Sequence, residues 1–530
     1  MSRHRKRWLI GIALSAVAAV VVLFVIAANM VRNFQPMVHD EAVAYLSRRF
    51  HCDVQLATLN VHLPKLSKLG VLFRRQRGAL VMVDGAGLVM RLHDRQDLPP
   101  LFAMHKFKFV VDLGALTDKR KAVDSVLIDG LEVNLPPRQK DDQPAVAPPA
   151  PPVKAGGPAT SVLIRDVKIA NATLSLLPAD TAKKPLVFQI ANLRLKSVGV
   201  GSPMKYDATL TIPRPPGLVR SQGDFGPWQT DDPSTTPLAG SYTYDHADLG
   251  VFNGIAGILT STGKFDGTLG AVHATGECTV PDFRLKMTGH SVPVWAHFDA
   301  LVDGTNGNTT LQPVHALLGH TAFITSGTVI RHGDDKQRSI DLKLNMPNGD
   351  MRDLLRLATK DPPFMDGRLD LKSTVSIPPL TKKVMDKLML DGTFQVNDAR
   401  FLKSNIQSQL DQLSRRGQGQ PGNQAIDQVV SNMGGSFHLQ NDLMTFRELT
   451  FAVPGAFVEM SGDYNMSHES LDFHGSLALV AKLSEMVTGW KRWILKPVDP
   501  FFEKNGAGTF LRIKVDGTTA QPKFGLDHEH

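Results

Sequence analysis

The chain has 530 residues, 42% hydrophobic and 21% charged, with a mean hydropathy of −0.10. This length exceeds one ordinary core, and the hydropathy excludes a polytopic membrane protein. The formal net charge is +8, and Arg3, Arg5, Lys6 and Arg7 supply four units of it, leaving 8 − 4 = +4 for the rest, too mild and too interspersed for a nucleic-acid partner.

Trp8 to Met30 runs without a charged residue directly after RHRKR (Arg3–Arg7). At about 1.5 Å of rise per residue, such a stretch crosses a ~30 Å hydrocarbon core. Lys and Arg beside a span stay cytoplasmic, so residues 1–7 read as a cytoplasmic tail and 8–30 as a single transmembrane helix. A cleaved secretory signal is the alternative. Its apolar core is ordinarily shorter, and IAANM (Ile26–Met30) is a weak cleavage site.

Beyond the anchor, Asp40 caps a short helix that places Ala42, Val43, Leu46 and Phe50 on one face. From Asp53 onward the period changes from 3.6 to 2. Phe107, Phe109, Val111 and Leu113 alternate with Lys106, Lys108 and Asp112. The same texture recurs at Ile340–Leu344, Leu369–Leu371, Leu390–Val396, Leu471–Leu479 and Leu511–Val515. Each reads as a strand with one apolar and one wet face, and together they predict a largely antiparallel β protein. The dipeptides Asp129–Gly130, Asn348–Gly349, Asp391–Gly392 and Gly462–Asp463 predict turns between strands. Helices are expected at Met351–Ala358, capped by Asp350, at Ser404–Leu413 and at Ile426–Met433.

Pro136–Thr160 is rich in Pro and Ala and has no apolar period, which marks a solvated loop or linker. SVLIDGLEVNL (Ser125–Leu135) and SVLIRDVKIANATLSLL (Ser161–Leu177) flank it as two copies of one strand unit. The loop is therefore expected to interrupt a continuous sheet. Pro213–Pro237 is expected to be a second irregular excursion.

Catalytic signatures are sparse. GQGQPG (Gly417–Gly422) matches GxGxxG, but it follows Arg415–Arg416 rather than a strand and contains Pro421. There is no Walker lysine loop, no GxSxG elbow and no HExxH, so catalytic residues, cofactors and metal ligands are all expected to be none. Cys52 and Cys278 are the only cysteines. A disulfide and two free thiols both remain open. Around Lys482–Phe502, Leu483, Met486, Trp490, Trp493 and Ile494 share a helical face, with Lys482, Lys491, Arg492 and Lys496 as cations. This fits an interfacial membrane helix, or a helix capping an open sheet end.

Several stretches together resemble the AsmA-like family, inner-membrane-anchored periplasmic proteins of diderm bacteria related to TamB and YhdP. They are CDVQLATLNVHL (Cys52–Leu63), VDGAGLVMRLHDRQDLPPLFAMHKFKF (Val83–Phe109), VDSVLIDGLEVNLPP (Val123–Pro137) and GDFGPW (Gly223–Trp228). ADLGVFNGIAGILTSTGKFDGTL (Ala247–Leu269) extends the similarity through the middle. The C-terminal part adds DARFLKSNIQSQLDQLSRRGQG (Asp398–Gly419), LTFAVPGAFVEMSGDY (Leu449–Tyr464), KPVDPFFEKNGAGT (Lys496–Thr509) and QPKFGLD (Gln521–Asp527). Cys52–Asp53 departs from the family, where a Gly often precedes the strand's Val.

The resemblance implies an elongated, curled sheet, a β-groove that conducts lipid. It divides the chain into residues 31–135, an N-terminal helix and sheet, the loop 136–160, a middle groove region 161–397, and a C-terminal region 398–530. The implied function is phospholipid binding or transport from the inner membrane, in support of outer-membrane lipid homeostasis. The alternative is a non-enzymatic scaffold or assembly factor for outer-membrane proteins. The strand pattern by itself favours a closed sandwich, the commoner solution, and the resemblance alone favours the groove.

Overall fold

The computed structural model describes residues 40, 43–44, 46–48, 52–62, 80–93, 97–112, 120–135, 161–177, 185–199, 203–229, 232–332, 337–379, 385–423, 425, 428–488, 496–503, 508–519 and 521–527. These residues are mostly β with few helices, and 24 strands belong to one hydrogen-bonded sheet. The chain divides into two compact units. Unit 1 is Met1–Ala247 with Thr260–Ala274 and Val302–Asn306, and unit 2 is the remainder.

Unit 1 contains β1 (Cys52–Gln55), β2 (Thr58–His62), β3 (Leu80–Leu92), β4 (Phe102–Asp112), β5 (Arg120–Leu135) and β6 (Ser161–Leu176). It continues with β7 (Leu186–Gly199), β8 (Met204–Pro213), β9 (Pro216–Phe225) and β10 (Pro237–Asp248). β1 and β2 pair with successive stretches of β3, Cys52 opposite Leu92 and Thr58 opposite Ala86. Pairing is antiparallel from β3 to β5 and again from β6 to β10. β5 and β6, however, are parallel neighbours, so the sheet is mixed rather than wholly antiparallel. A parallel partner needs a long connection to carry the chain back, and the expected loop between these strands, residues 136–160, lies outside the described residues. The two SVLI copies do not face each other. Ser125 lies opposite Asp166, which matches Val126 with Val167 and Ile128 with Ile169.

A line of irregular backbone crosses these strands. Gly87, Gly130 and Asn171 all have positive φ, at 67°, 72° and 55°. Each sits beside the rung Ala86–Lys106–Asp129–Ala170. The extra residue changes the phase of alternation. Val81 and Val83 are buried before it in β3, and Leu88 and Met90 after it. In β4 the buried residues switch from Phe102 and Met104 to Phe107 and Phe109. Without the shift, half of each strand would present its apolar residues to the wrong face. The Asp129–Gly130 dipeptide thus marks an irregularity inside β5 that its neighbours carry in register, and not a turn. Asn171 Nδ2 donates to Asp129 Oδ1 at 2.8 Å across it. The result is a well-buried core of Leu46, Cys52, Val83, Leu88, Met104, Phe109, Val126 and Val167. Leu46 comes from the helical residues after Asp40.

The expected excursion Pro213–Pro237 is not irregular throughout, because β9 occupies Pro216–Phe225 and pairs with both β8 and β10. Next in the chain come β11 (Ile255–Ala256), β12 (Ile258–Thr268), β13 (Ala271–Val280), β14 (Arg284–Leu285) and β15 (Val294–Val302). β11 and β14 form a separate two-stranded ladder.

Unit 2 carries β16 (Thr309–Leu318), β17 (Thr321–His332), β18 (Gln337–Asp350), β19 (Met365–Ile377), β20 (Met389–Phe401) and β21 (Ser431–Gln440). β22 (Leu443–Val453), β23 (Ala456–Asn465), β24 (Ser470–Leu479), β25 (Thr509–Thr518) and β26 (Pro522–Leu526) follow. From β16 onward each strand pairs antiparallel with the next. Helix α1 (Met351–Ala358) begins as expected, with Asp350 accepting the Arg352 N–H at 2.9 Å. Its buried Asp353 accepts from the His320 N–H and the Thr321 hydroxyl, tying the helix to the β16–β17 turn. Helix α2 (Ser404–Gly417) runs one turn beyond the expected end at Leu413. Of the helix expected at Ile426–Met433, Ile426 and Asp427 lie outside the described residues, and Gln428–Met433 is not helical. Ser431–Met433 opens β21, where Met433 pairs with Val396 and Phe451, and the following Gly434–Gly435 disfavours helix. Asn348–Gly349, Asp391–Gly392 and Gly462–Asp463 all lie inside strands.

A Cβ at Gly130 would lie 2.5 Å from the His105 ring, in a left-handed conformation that branched residues resist. Gly130→Val should therefore destabilise unit 1 by about 2–4 kcal/mol. Hydrogen exchange should accelerate in β4, β5 and β6, while exchange in β22–β24 stays at the wild-type rate.

Candidate functional site

The candidate site is the apolar face of unit 2. Register places apolar residues of successive strands on shared lines. One rung runs Leu369–Val396–Met433–Phe451–Val458–Leu477. Next to it lies Met346–Leu371–Phe394–Gly435–Leu449–Met460. A third is Leu344–Ser373–Gly392–Phe437–Phe446–Gly462–Phe473. Neighbouring strands are about 4.8 Å apart and successive rungs about 6.8 Å, so three rungs over seven strands make a continuous apolar sheet surface.

Aromatic rings bridge this surface. Phe394 lies 6.3 Å from Phe437 and 6.4 Å from Phe446, and Phe446 lies 5.8 Å from Phe473. The glycines make room for them. A Cβ at Gly392 would come 2.6 Å from the Phe437 ring, and Gly462 separates Phe446 from Phe473 on its rung. Offset and edge contacts at these separations are favourable aromatic geometries.

Burial across the face is uneven. Leu369 and Val396 are fully buried, and Leu355 of α1 packs with them. Val453, Ala456 and Leu479 are buried at the α2 end, where Leu413 packs. Between these ends Leu371, Phe394, Phe437, Phe446, Leu449, Phe451 and Met460 remain part-exposed. A face pressed against a second sheet would bury such residues as unit 1 buries Phe107 and Phe109.

The residues singled out by sequence are placed less completely. Trp8–Met30 lies outside the described residues, and among the described residues no helix is long and apolar enough to cross a membrane. Trp490, Lys491, Arg492 and Trp493 also lie outside them. What is described of the expected helix is a 3-10 turn, Leu483–Met486, which ends where Val487 turns extended. Lys496 is exposed in a second 3-10 turn, Lys496–Val498. Helix α3 (Asp499–Phe502) follows, and its buried Asp499 accepts from both the backbone N–H and the hydroxyl of Ser484. Gly417 and Gly419 of the GxGxxG look-alike close α2, and a Cβ at Gly417 would strike the Gly455 backbone, so the motif serves packing. Among the described residues no group of His, Cys, Asp and Glu could hold a metal ion.

Phe437, Phe446, Phe451 and Met460 escaped the sequence reading as members of one face. Their signal is alternation in LMTFRELTFAV and AFVEMSGDYN, masked because Arg447–Glu448 interrupts it with a bulge. No family model, curated protein or solved structure matches the chain.

Neither Cys52 nor Cys278 forms a disulfide. Burial, assisted by neighbouring Asp53, pushes Cys52 up to about 11, and burial raises Cys278 as well. A raised value means the fold favours the protonated thiol. The associated stability is therefore complete below the unfolded thiol's ordinary value and declines as pH rises toward 11. Native protein should resist alkylation of Cys52 at about pH 8 and label promptly once unfolded, as thiolate is the reacting form. Mass spectrometry of iodoacetamide-treated protein, with and without denaturant, checks this.

Proposed function

We propose that the protein is an inner-membrane-anchored periplasmic protein of the AsmA-like type that binds or conducts phospholipid along a hydrophobic β-groove. The observation that carries this reading is the part-exposed apolar face of unit 2, aromatic at its centre and continuous across adjacent strands. Acyl chains are the ligand chemistry such a face suits. They need no hydrogen-bonding partner, and each methylene removed from water contributes about 0.8 kcal/mol. A sheet also lets a chain shift from one rung to the next without breaking a directional contact, which suits passage as well as binding.

In this reading the Trp8–Met30 helix holds the protein at the inner membrane, the source of lipid. The Trp490–Trp493 segment with Lys491, Arg492 and Lys496 offers a second, interfacial contact with a bilayer. The resemblance to AsmA-like proteins supports the same assignment, including support of outer-membrane lipid homeostasis and a recipient partner on the outer side. No enzymatic step is assigned.

The test is to purify the full chain in mild detergent and identify lipid in its organic extract by mass spectrometry. Wild-type protein should retain phospholipid. Phe446→Asp and Leu449→Asp, on the part-exposed face, should lose most of it while keeping a wild-type circular-dichroism spectrum. A lipid-free wild type, or variants that retain lipid equally, would overturn the reading. Photo-crosslinks from this face to proteins alone would favour a scaffold.

A further inference from the structure

The opposite, polar face of unit 2 holds an open cavity of about 550 Å³ spanning β17 to β22. Two rungs line it, Ser326–Lys343–Thr374–Asp391–His438 and Asn345–Lys372–Thr393–Ser436. Lys343 therefore stands opposite Ser326 and Thr374, and Lys372 opposite Asn345 and Thr393. Neither lysine faces an acid on an adjoining strand. They are diagonal cross-strand neighbours, roughly 7–8 Å apart at the backbone, close enough for like charges to repel when nothing anionic lies between them.

Among the described lining residues Asp391 is the one acid, and its Oδ1 is already 2.7 Å from His438 Nδ1. A third cation arrives by a bulge. The register slips between Ser436–Glu448 and Phe437–Phe446, which makes Arg447 the extra residue, and Arg447 lines the same cavity. Bulges recur where a strand must re-aim a side chain.

The larger cavity of about 940 Å³ on the polar face of unit 1 provides the contrast. There Lys108 faces Asp84, Lys106 faces Asp129 and Arg194 faces Asp207 across the rungs. Arg194 is also bound to Asp166 at 2.8 Å. Lys168 lies opposite Arg194, and Asp166 pairs with both, so each cation lining that cavity has an acidic partner. In unit 2 charge accumulates beside hydroxyl donors.

We propose that the unit 2 cleft binds a phosphate-bearing ligand, its anionic oxygens held by Lys343, Lys372 and Arg447 and by the hydroxyls of Ser326, Thr374, Thr393 and Ser436. Phosphate matches this set because it offers several acceptor oxygens to point-charge ammoniums, a guanidinium fork and neutral donors at once. The ligand is either free phosphate or the headgroup of a phospholipid.

Isothermal titration of the full detergent-solubilised chain tests this with two acyl-free probes, inorganic phosphate and glycerophosphoglycerol, a deacylated lipid headgroup. Neither probe engages an apolar surface, so the outcome is independent of the lipid reading above. Saturable binding is expected for at least one probe. It should weaken with added salt, and by roughly tenfold or more in the Lys343→Gln/Lys372→Gln double variant. Preference for inorganic phosphate identifies a free-anion site, and preference for the diester identifies a headgroup site. Lys106→Gln/Lys108→Gln should bind as wild type does. Absence of saturable binding by both probes, or equal binding by the Lys343/Lys372 variant, would overturn the proposal. Both lysines are exposed, so wild-type circular dichroism is expected for the variant.

Discussion

Successive residues of a strand point to opposite sides, so every alternating segment of this chain has one apolar and one polar edge. When such strands hydrogen-bond side by side in register, their apolar edges merge into one face of the sheet. That face must be buried against something or remain available. Unit 1 buries it around β3 to β6, with Phe102, Met104, Phe107 and Phe109 of a single strand all withdrawn from solvent, and leaves β7 to β9 part-exposed. Unit 2 covers only the ends, near α1 and α2, and leaves the middle rungs part-exposed. The functional reading follows from the aromatic centre of that part-exposed face.

Register is what makes the face continuous, and the backbone irregularities preserve it. A one-residue slip would send every later side chain of a strand to the wrong side. The positive-φ residues Gly87, Gly130 and Asn171 absorb an extra residue at the same level in their strands, so the apolar set resumes on the correct face beyond them. In unit 2, glycines serve a second purpose. Gly392, Gly435 and Gly462 clear space for the rings of Phe394, Phe437, Phe446 and Phe473, whose contacts link four strands. The polar face obeys the same geometry. Cross-strand pairing neutralises Lys106 and Lys108 in one unit and leaves Lys343 and Lys372 together in the other.

Much of this fold is legible in the amino-acid order, because alternation is a local property. Ile340–Leu344, Leu369–Leu371 and Leu471–Leu479 are strands as read, and Asp350 caps α1 over Met351–Ala358. The failures share a cause. Gly130 and Asn348 adopt positive φ as readily inside a strand as in a turn, and only the partner strands decide which. The parallel pairing of β5 with β6 and the strand identity of Ser431–Met433 depend on partners far along the chain. The candidate face was hidden for the same reason. Phe394, Phe437 and Phe446 become neighbours only once the register is known.

The most direct test of the account places a photo-crosslinking amino acid, in cells expressing the full chain, at Leu371 or Leu449 on the apolar face and separately at Glu459 or Arg512, on the polar face away from the cleft. The account predicts phospholipid adducts at Leu371 and Leu449 that carry acyl chains, with far fewer at Glu459 and Arg512. Equal lipid capture on both faces, or adducts from Leu371 and Leu449 to proteins alone, would contradict it.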